Sequence, residues 1–528
     1  MKALELLKNV DFELLKGDLD VEIRGICHNN RKIKPLDAFV CIKGVHFDTH
    51  TIIEEIAKAG SPLIVIDHDI DLDAVDATVV RVQNSRSASA YMAQAFYGFP
   101  ADKLTIIAIT GSKGKTTATH MLAAILREAG LSAGTIGTNG AIFPMEMSAL
   151  EVPGAERFTY REAPETPGYF YFETHNTTPE PMELYMYMAM MVKAGCTHLV
   201  MEVSSQAAKQ NRTDGLSYEY GIWTNLATGD HIGSTEHPTF EDYMECKAHV
   251  LNHSNTILLN YDDEYYNDFL PYIEKPSDNG RSLLTYGKND ACDYIGYDLK
   301  KHYDEDSRTP FIDFSIKGKM SIDVSINMPG DFNMYNAIPC IAVAGMLGVP
   351  NDTIQSALKN LKIRARYEMV FDNGSIRVCV DYAHNGYSTM HHLEGLREYN
   401  PNKLICVYSA DGSRDTARRP EQGYISAKLA DISIITEGHS RYEPFDDIAK
   451  DILVGVHDAE AELGHEVVYE VVPKRKDAIK RAMSLATDGD IVTIVGVGLH
   501  KSYLDIMGVE VPHNDAECVL EAAKELGW

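Results

Sequence analysis

Short apolar stretches alternate with amphipathic ones over the first hundred residues. The run DAFVCIKG, beginning at Asp37, predicts a strand, and HTIIEEIAKAG predicts a helix closed by Gly60. Gly98 and Pro100 then interrupt the pattern in YGFPADKL, which indicates a domain boundary. We therefore predict an N-terminal α/β domain over residues 1–100.

From Thr105 onward the pattern becomes strand, loop and helix, repeated. THLVMEVSS and YGIWTNLAT are typical of buried strands, so we predict a central parallel sheet over 101–363. The segment 143–173 is rich in Pro, Glu and aromatic residues, and we interpret it as a surface insertion. The strands KLICVYSA, ISIITEG and DIVTIVGVG then alternate with helices, which predicts a third, Rossmann-like α/β domain over 364–528.

Composition excludes several classes of protein. The 528-residue chain has a formal net charge of −28, which argues against nucleic-acid binding because polyphosphate would be repelled. The apolar stretch from Ala337 to Leu347 is shorter than the roughly 20 residues of a membrane span, so we predict a buried helix and no membrane insertion. Nine scattered cysteines and no signal-peptide pattern after Met1 predict a cytoplasmic protein with reduced thiols.

The stretch Gly111-Ser-Lys-Gly-Lys-Thr-Thr117 lies between a predicted strand and a predicted helix. A glycine turn at a helix N-terminus binds phosphate through backbone N–H groups. Lys115 would reach the β- and γ-phosphates, and Thr116 could ligate Mg²⁺. The first glycine of the G-x-x-x-x-G-K-[ST] pattern is missing, so a polar surface turn is the alternative. The flanking strand and helix favour a nucleotide site.

Four further motifs each have a structural alternative. Glu202 ends a predicted buried strand, where a carboxylate is either a Mg²⁺ ligand or a helix cap. HNTTPEP, from His175 to Pro181, would alone be an N-capping segment. Lys247 would alone be a solvated lysine on a helix. The clustered arginines of SADGSRDTARRP indicate either an anionic ligand or structural carboxylates.

Taken in this order, the motifs resemble those of the Mur ligase family, whose members have three domains and join an amino acid to a carboxylate with ATP. The resemblance covers essentially the whole chain and is strongest in TGSKGKTT, NTTPEP, MEVSSQA, MPGDFNMYNA, VDYAHN and GSRDTARRP. NTTPEP and the Ser, Gln and Arg residues after MEV resemble the branch that adds the third peptide residue to UDP-N-acetylmuramoyl-L-Ala-D-Glu. This implies an ADP-forming ligase of peptidoglycan precursor synthesis that acts through an acyl phosphate.

The resemblance implies which residues bind nucleotide and metal. ATP would contact Gly111, Ser112, Lys113, Gly114, Lys115, Thr116, Thr117, Asn336 and Arg366. Mg²⁺ would be held by Thr116, Glu202, His231 and Lys247. Lys247 would act as a carbamate, because an ammonium repels the cation whereas a carbamate offers anionic oxygen. The residues implied in catalysis are Lys115, Lys247, His231 and Arg366.

The same resemblance implies residues for two organic substrates, which are the partners that we expect for a monomeric enzyme. UDP-N-acetylmuramoyl-dipeptide would lie on the N-terminal and central domains, against Asn30, Thr177, Thr178, Ser204, Gln210 and Arg212. The free amino acid would lie on the C-terminal domain, against His384, Arg414, Arg441 and His500.

The chain departs from the family pattern where the amino acid would bind. The Asp-Asn-Pro-Arg motif reads GHSR, from Gly438 to Arg441, and the Gly-Lys-Gly-His-Glu motif reads GVGLH, ending at His500. Arg441 is kept and could pair with a distal carboxylate, whereas the acidic partners of a distal amine are replaced. Glu437 or Glu443 could take their place. We therefore predict meso-diaminopimelate ahead of L-lysine as the amino acid added.

Two other functions remain open from the sequence. A paralogous Mur-type ligase with another acyl acceptor or amino acid would also carry the altered GHSR and GVGLH motifs. A non-catalytic nucleotide-binding regulator is the third hypothesis. Glu202, His231 and Lys247 argue against it, because a pure binder has little need of a metal-bridging carbamate.

Overall fold

The computed structural model divides the chain into two compact units. It describes residues 1–44, 47–163, 165–174, 176–228, 232, 236–274, 280–413, 416–498 and 502–528. The first unit comprises 1–296, 316–321 and 335–354, and the second comprises 297–315, 322–334 and 355–528. The three domain boundaries drawn from the sequence stay a prediction.

A five-stranded sheet forms the N-terminal part of the first unit. Its strands are β1 (Phe12–Lys16), β2 (Gly25–Cys27), β3 (Asp37–Val40), β4 (Leu63–Ile66) and β5 (Thr78–Val82), and its helices are α1 (Ala3–Leu6), α2 (Ile53–Lys58) and α3 (Ser85–Phe96). The order is β1-β5-β4-β3-β2, parallel except for the edge strand β1. Apolar cores cover both faces, which explains why β4 is continuously apolar and β3 is apolar after Asp37. The predicted strand and helix are confirmed, and Gly60 follows α2 with a φ of 94°.

The larger sheet of the first unit brings the candidate site together. Its strands are β6 (Thr105–Thr110), β7 (Ala133–Gly137), β8 (Gly140–Pro144), β9 (Tyr160–Glu162), β10 (Tyr169–Phe172), β11 (His198–Glu202), β12 (Tyr218–Trp223), β13 (Ser254–Asn260) and β14 (Ser282–Gly287). They run in the order β14-β13-β12-β6-β11-β7-β8-β10-β9, parallel from β14 to β7. Because β6 lies between β11 and β12, the carboxyl ends of these strands meet at one edge, where ligands bind in such sheets.

Seven helices of the described residues follow or lie between these strands. They are α4 (Lys115–Glu128), α5 (Pro181–Lys193), α6 (Ser205–Lys209), α7 (Phe240–Asn252), α8 (Tyr266–Phe269), α9 (Phe332–Met346) and α10 (Asn351–Lys359). Helix α9 confirms the helix predicted at Ala337 to Leu347, and its Ile338 and Ile341 are fully buried. Across the described ranges, no helix is both long and apolar enough to cross a membrane.

The interpretation of 143–173 as a surface insertion is wrong. β8 pairs with β10, which places Phe143 opposite Phe170, and β10 pairs in turn with β9. The rings of Phe143 and Phe172 stack at 4.6 Å between centroids, and both side chains are fully buried. The aromatic residues of this segment therefore extend the sheet and fill its core. Its Pro and Glu residues obscured the strand pattern in the sequence.

A six-stranded sheet forms the second unit, as the sequence predicts for a third α/β domain. After β15 (Tyr294–Asp304), β16 (Thr309–Gly318) and β17 (Ile322–Ile326) come β18 (Glu368–Asp372), β19 (Arg377–Asp381), β20 (Leu404–Tyr408), β21 (Ile432–Ile435), β22 (Tyr469–Val471) and β23 (Ile491–Val495). The sheet order is β18-β19-β23-β20-β21-β22, and only β18 is antiparallel. The other elements are α11 (Gly386–Arg397), α12 (Arg418–Leu429), α13 (Phe445–Leu463), α14 (Arg475–Leu485), β24 (Ser502–Leu504), β25 (Glu510–Pro512) and α15 (Asp515–Leu526).

Candidate active site

The predicted phosphate loop connects β6 to the N-terminus of α4. Gly111 has a φ of 144° and Gly114 a φ of 84°, both in the region that favours glycine. A Cβ at Gly111 would lie 2.0 Å from Thr224 Oγ1, and one at Gly114 would lie 2.2 Å from Asn336 Oδ1. Backbone shape and close neighbours therefore both require these glycines. The same geometry brings Asn336, one of the predicted ATP contacts, against the loop.

Thr224 and Asn225, which follow β12, hold the phosphate loop from the neighbouring strand. Thr224 Oγ1 and Asn225 Nδ2 donate to the Lys113 carbonyl at 2.6 and 3.1 Å. Asn225 Oδ1 accepts from the Lys113 N–H at 2.9 Å, and the Asn225 carbonyl accepts from the Ser112 N–H at 2.8 Å. Sequence reasoning missed both residues. The available signal was the polar Thr-Asn pair inside the predicted strand YGIWTNLAT, which in the structure ends at Trp223.

Lys115 and Lys247 converge on the carbonyl oxygen of Gly111. The Nζ of each donates to this oxygen at 2.7 Å, and Lys115 also donates to the Ser112 carbonyl at 3.1 Å. Lys247 is 1% exposed, and its Nζ lies 4.4 Å from the centre of the Tyr243 ring. The alternative of a solvated lysine is therefore wrong. Two ammonium groups that share one acceptor repel each other.

Glu202 ends β11 and is buried beside the phosphate loop, with 1% of its surface exposed. Its Oε2 accepts from the hydroxyls of Thr116 at 3.0 Å and Thr138 at 3.2 Å, and its Oε1 accepts from the Thr138 N–H at 2.9 Å. Within the described part of the chain, no cationic side chain pairs with it. The helix-cap alternative is wrong, because Ser204 caps α6. A buried carboxylate without a cation is costly, and a metal ion bound beside Glu202 would stabilise it.

The residues around Glu202 fit Mg²⁺. The Thr116 hydroxyl and the Glu202 carboxylate are the oxygen ligands that this ion prefers, and they lie within hydrogen-bonding distance of each other. A Cβ at Gly137 would lie 2.2 Å from Glu202 Oε1, so a glycine is needed beside the carboxylate. The third predicted ligand, His231, lies outside the described residues, and its role stays a prediction.

His237 is a fully buried residue that sequence reasoning missed. Its Nδ1 lies 2.6 Å from Asp242 Oδ2 and its Nε2 lies 2.9 Å from Ser205 Oγ. Asp242 also accepts from Lys209 at 2.8 Å. These contacts join α6 to α7, the helix that carries Lys247. No signal in the sequence singled out His237, which is one histidine in a polar loop. Its contact with Ser205, which is distant in sequence, identifies it as a residue that positions α7.

The residues predicted to hold the UDP-sugar peptide gather around Thr178, which is fully buried. Thr178 Oγ1 donates to the Glu202 carbonyl and accepts from the Ser204 N–H, both at 3.0 Å. Thr177 Oγ1 lies 3.1 Å from Thr138 Oγ1, and the Thr138 hydroxyl in turn donates to the Glu202 carboxylate. The segment HNTTPEP also leads into α5, since Glu180 is the N-cap residue of that helix and Pro181 its first residue, although the Glu180 side chain makes no capping hydrogen bond.

Arg212 completes this polar group from the loop after α6. It is 7% exposed, and its Nη1 donates to the Thr178 carbonyl at 2.9 Å. Its Nη2 lies 2.8 Å from Gln210 Oε1 and 2.8 Å from Glu180 Oε1. The structure thus brings Thr177, Thr178, Ser204, Gln210 and Arg212 together. Glu180 is an addition that the sequence did not single out.

Asn30 lies in an exposed turn of the N-terminal sheet. Its neighbour His28 connects this turn to the Arg212 group. The His28 side chain is exposed at the surface, but the protein atoms around it partly desolvate the imidazole and lower its pKa; the charge of Glu180 raises this pKa, and the charges of Arg86 and Arg212 lower it. The turn that carries Asn30 therefore lies within electrostatic range of the predicted substrate-binding residues.

In the second unit, Asp381 is buried and lies within electrostatic range of the half-buried Arg366. Burial would raise the pKa of Asp381, but the charges of His392 and Arg366 outweigh it and lower the pKa to about 2. The carboxylate also accepts from the Tyr367 N–H at 3.0 Å. His384 is exposed at the same end of β19, with its Nδ1 2.9 Å from the Tyr382 carbonyl. The VDYAHN motif thus places a buried anion beside an exposed imidazole.

Arg441 lies in the loop that follows β21. Its Nη1 is 3.3 Å from Asp411 Oδ2, at the end of β20. Arg441 and Tyr442 have φ angles of 46° and 73°, two consecutive non-glycine residues in the left-handed region. Such strain costs on the order of 1–3 kcal/mol per residue and concentrates at binding sites. The Ser413 hydroxyl stabilises this conformation by donating to the Arg441 carbonyl.

Of the clustered arginines, Arg419 is structural. It is 1% exposed and donates to Glu443 at 2.7 and 2.6 Å and to Asp451 at 2.8 Å. The hydrogen bond from Arg419 holds the pKa of Glu443 below its ordinary value. Two predicted amino-acid ligands, Arg414 and His500, lie outside the described residues.

Comparisons with known proteins define the class to which this fold and site belong. Three family models match: Mur ligase family, catalytic domain, at 22–97; Mur ligase middle domain, at 109–344; and Mur ligase, glutamate ligase domain, at 365–498. The chain belongs to the Mur ligase family, and the family prediction made from the motifs is confirmed. Each matched range falls within one of the three predicted domains.

Curated relatives extend over nearly the full length. The UDP-N-acetylmuramoyl-L-alanyl-D-glutamate–2,6-diaminopimelate ligase of Clostridium perfringens is 32% identical over 519 residues, which is 98% of each chain. A ligase of the same name, numbered 1, from Clostridium acetobutylicum is 33% identical and covers 100% of each chain. That of Aquifex aeolicus is 32% identical over 94% of this chain and 93% of its own. These relatives confirm the prediction of a ligase.

Solved structures share the fold. A structure of a UDP-N-acetylmuramoyl-L-alanyl-D-glutamate–2,6-diaminopimelate ligase has a TM-score of 0.62 at 22% identity and covers 100% of this chain and 99% of its own. MurF ligase of Thermotoga maritima, in complex with ADP, has a TM-score of 0.58 at 17% identity and covers 95% and 97%. At these identities the likeness supports the fold alone, and it confirms the predicted α/β fold class.

Proposed function

We propose that this chain is an ATP-dependent ligase that joins 2,6-diaminopimelate to UDP-N-acetylmuramoyl-L-alanyl-D-glutamate. Relatives with that name share 31–33% identity with it over 94–100% of the chain. One observation carries the chemical part of the proposal. The glycine loop, Thr116, the buried Glu202 and the buried Lys247 converge where β6 and β11 end.

The reaction would begin at the phosphate loop. We place ATP against Gly111, Ser112, Lys113, Gly114, Lys115, Thr116, Thr117, Asn336 and Arg366. The substrate carboxylate attacks the γ-phosphorus, ADP leaves and an acyl phosphate forms. Lys115 offsets the negative charge of the transferring phosphoryl group. The amine of the amino acid then attacks the acyl carbon, phosphate leaves and the nitrogen loses a proton, which completes the amide.

Thr116, Glu202, His231 and Lys247 would hold Mg²⁺, which neutralises phosphate charge when it is bound. The neutral amine of Lys247 can add CO₂, with formation of an N–C bond and release of a proton. This step converts a buried cation into a carbamate anion. It would also remove the repulsion between Lys115 and Lys247 at their shared acceptor, so the crowding of these two lysines supports the modification.

The polar group around Thr178 would bind the UDP-sugar peptide. Its proposed contacts are Asn30, Thr177, Thr178, Ser204, Gln210 and Arg212. Arg212 is held in place by Thr178 and Glu180, so its guanidinium is positioned before an anionic substrate arrives. The Thr138 hydroxyl lies between Thr177 and the Glu202 carboxylate. A peptide bound at Thr177 would therefore have its reacting end near the ATP site.

Phosphate release in the presence of ATP and Mg²⁺ tests this function. We expect release only when both UDP-N-acetylmuramoyl-L-alanyl-D-glutamate and meso-diaminopimelate are present, with a product that contains both. L-lysine should be a poorer substrate. Turnover with a different acceptor alone would contradict the proposal and favour a paralogous ligase. ATP binding without turnover for any substrate pair would favour a nucleotide-binding regulator.

Arg441→Ala is expected to raise the KM for diaminopimelate by at least about tenfold, the effect of losing one charge-assisted contact. Arg441 is half-buried and held by Asp411 in a strained loop, which supports its assignment to a distal carboxylate. We place the amino acid against His384, Arg414, Arg441 and His500. Initial rates at varied diaminopimelate measure the effect. A wild type that prefers lysine, with no change in the variant, would refute this specificity.

We also propose that the enzyme acts as a monomer in the cytoplasm. All nine cysteines are free, which is typical of proteins from a reducing compartment. Light scattering should give a mass near the 58.7 kDa of one chain.

A further inference from the structure

The loop after β21 is held from two sides within the second unit. The Gly412 N–H, after β20, donates to the His439 carbonyl at 2.7 Å. The Ser440 N–H donates to the carbonyl of Leu504, at the end of β24, also at 2.7 Å. This bracing fixes the backbone between Glu437 and Arg441, at the carboxyl ends of parallel strands where ligands bind.

Two glycine positions leave no space for an acidic side chain: Gly438 in the centre of this loop and Gly412 in the loop after β20. Gly438 is buried, and a Cβ there would lie 2.4 Å from Ser409 Oγ. A Cβ at Gly412 would lie 1.8 Å from the Ser440 carbonyl oxygen. A carboxylate that binds a ligand here must therefore come from another position.

Two nearby carboxylates already have charged partners. Glu443 accepts from the buried Arg419 at 2.6 and 2.7 Å. Asp411 lies 3.3 Å from Arg441 and orients its guanidinium. Neither is positioned to serve primarily as the partner of a ligand ammonium.

Glu437 is the remaining carboxylate of the loop. Its Oε1 accepts from the Ser440 hydroxyl at 2.9 Å, and no cationic side chain among the described residues pairs with it. Burial raises the pKa of Tyr503 and the charge of Glu437 raises it further, which places the carboxylate near β24. Ser440 directly precedes Arg441, so one short loop presents an anion and a cation.

We propose that Glu437 determines specificity by accepting the distal ammonium of 2,6-diaminopimelate, while Arg441 pairs with the carboxylate on the same carbon. This inference rests on the proposed function. The distal end of that amino acid is zwitterionic, so a matching site needs both charges close together. Lysine would leave Arg441 unmatched, and an amino acid with a distal carboxylate alone would leave Glu437 unmatched.

Glu437→Gln tests the inference because it removes the charge at nearly constant shape. The two amino acids to compare are meso-2,6-diaminopimelate and 2-aminopimelate, which keeps the distal carboxylate but lacks the distal amine. We expect kcat/KM for diaminopimelate to fall on the order of tenfold to a hundredfold, mainly through KM. The value for 2-aminopimelate should change by less than about threefold, since no charged contact is lost.

Control variants distinguish Glu437 from its neighbours. Arg441→Ala should lower kcat/KM for both amino acids, and Asp411→Asn should do the same by releasing Arg441. Glu470→Gln, which removes a surface partner of Arg481, should leave both values unchanged. Thermal unfolding of each variant checks its fold.

Three outcomes would overturn the inference. Equal losses for both amino acids in Glu437→Gln would exclude selective binding of the amine, and the ligase function would stand. A loss selective for diaminopimelate in Asp411→Asn but not in Glu437→Gln would assign the ammonium to Asp411. A wild type that does not ligate diaminopimelate would refute the proposed function itself, and this inference with it.

Discussion

Lys115→Ala is expected to lower kcat for ligation by at least about 10³-fold, because a cation facing the transferring phosphoryl group is lost. In the structure Lys115 is half-buried at the first turn of α4, and its ammonium folds back onto the Gly111 and Ser112 carbonyls. The fold should survive, since Thr224 and Asn225 hold the glycine turn through hydrogen bonds that do not involve this side chain. Phosphate release measured with saturating substrates gives the effect.

The control for Lys115→Ala is Lys193→Ala. Lys193 ends α5, is 43% exposed and pairs with Glu151 at the surface, so its removal should leave turnover within about twofold of wild type. Matching unfolding temperatures for both variants would show that the effect of Lys115 is chemical. Near-normal turnover in a folded Lys115→Ala protein would refute the phosphate-loop assignment.

Local patterns in the sequence were sufficient to predict the elements that form the core of the site. The glycines of the phosphate loop and Glu202 at a strand end each have a short-range signature, whereas Lys247 was singled out only by the family resemblance. The burial of β6 and β11 between parallel neighbours also follows from their continuous apolar runs. The order of the strands in the sheet then brings these residues together. Only the occurrence of all the family motifs in one fixed order made it possible to predict this.

The contacts that hold the site in place could not be predicted, because they join residues far apart in sequence. His237 meets Ser205 across a loop, and Asn225 clamps Lys113 from another strand. Arg419 gave an ambiguous signal, because an arginine cluster suits an anionic ligand as well as the two half-exposed carboxylates, Glu443 and Asp451, that this buried arginine meets. The segment 143–173 was misjudged because its prolines and glutamates conceal two strands.

Lys247→Ala is the second large effect, and we expect kcat to fall by at least about a hundredfold. Lys247 is 1% exposed, and its Nζ lies 2.7 Å from the Gly111 carbonyl oxygen. A carbamate at this position would provide anionic oxygen beside Thr116 and Glu202, and the alanine variant lacks it. The stability of the variant should be compared by thermal unfolding, because a buried side chain is also removed.

Added formate or acetate should partly restore turnover to Lys247→Ala, since a small carboxylate can occupy the space that the modified side chain leaves. The same salts should not restore Lys115→Ala, which lacks a cation rather than an anion. Wild-type protein incubated with isotopically labelled bicarbonate should show a carbamate carbon that Lys247→Ala lacks. Full turnover of Lys247→Ala without added carboxylate would mean that the buried lysine only packs against Tyr243. Rescue of both variants by salt would indicate a general ionic effect and contradict the carbamate.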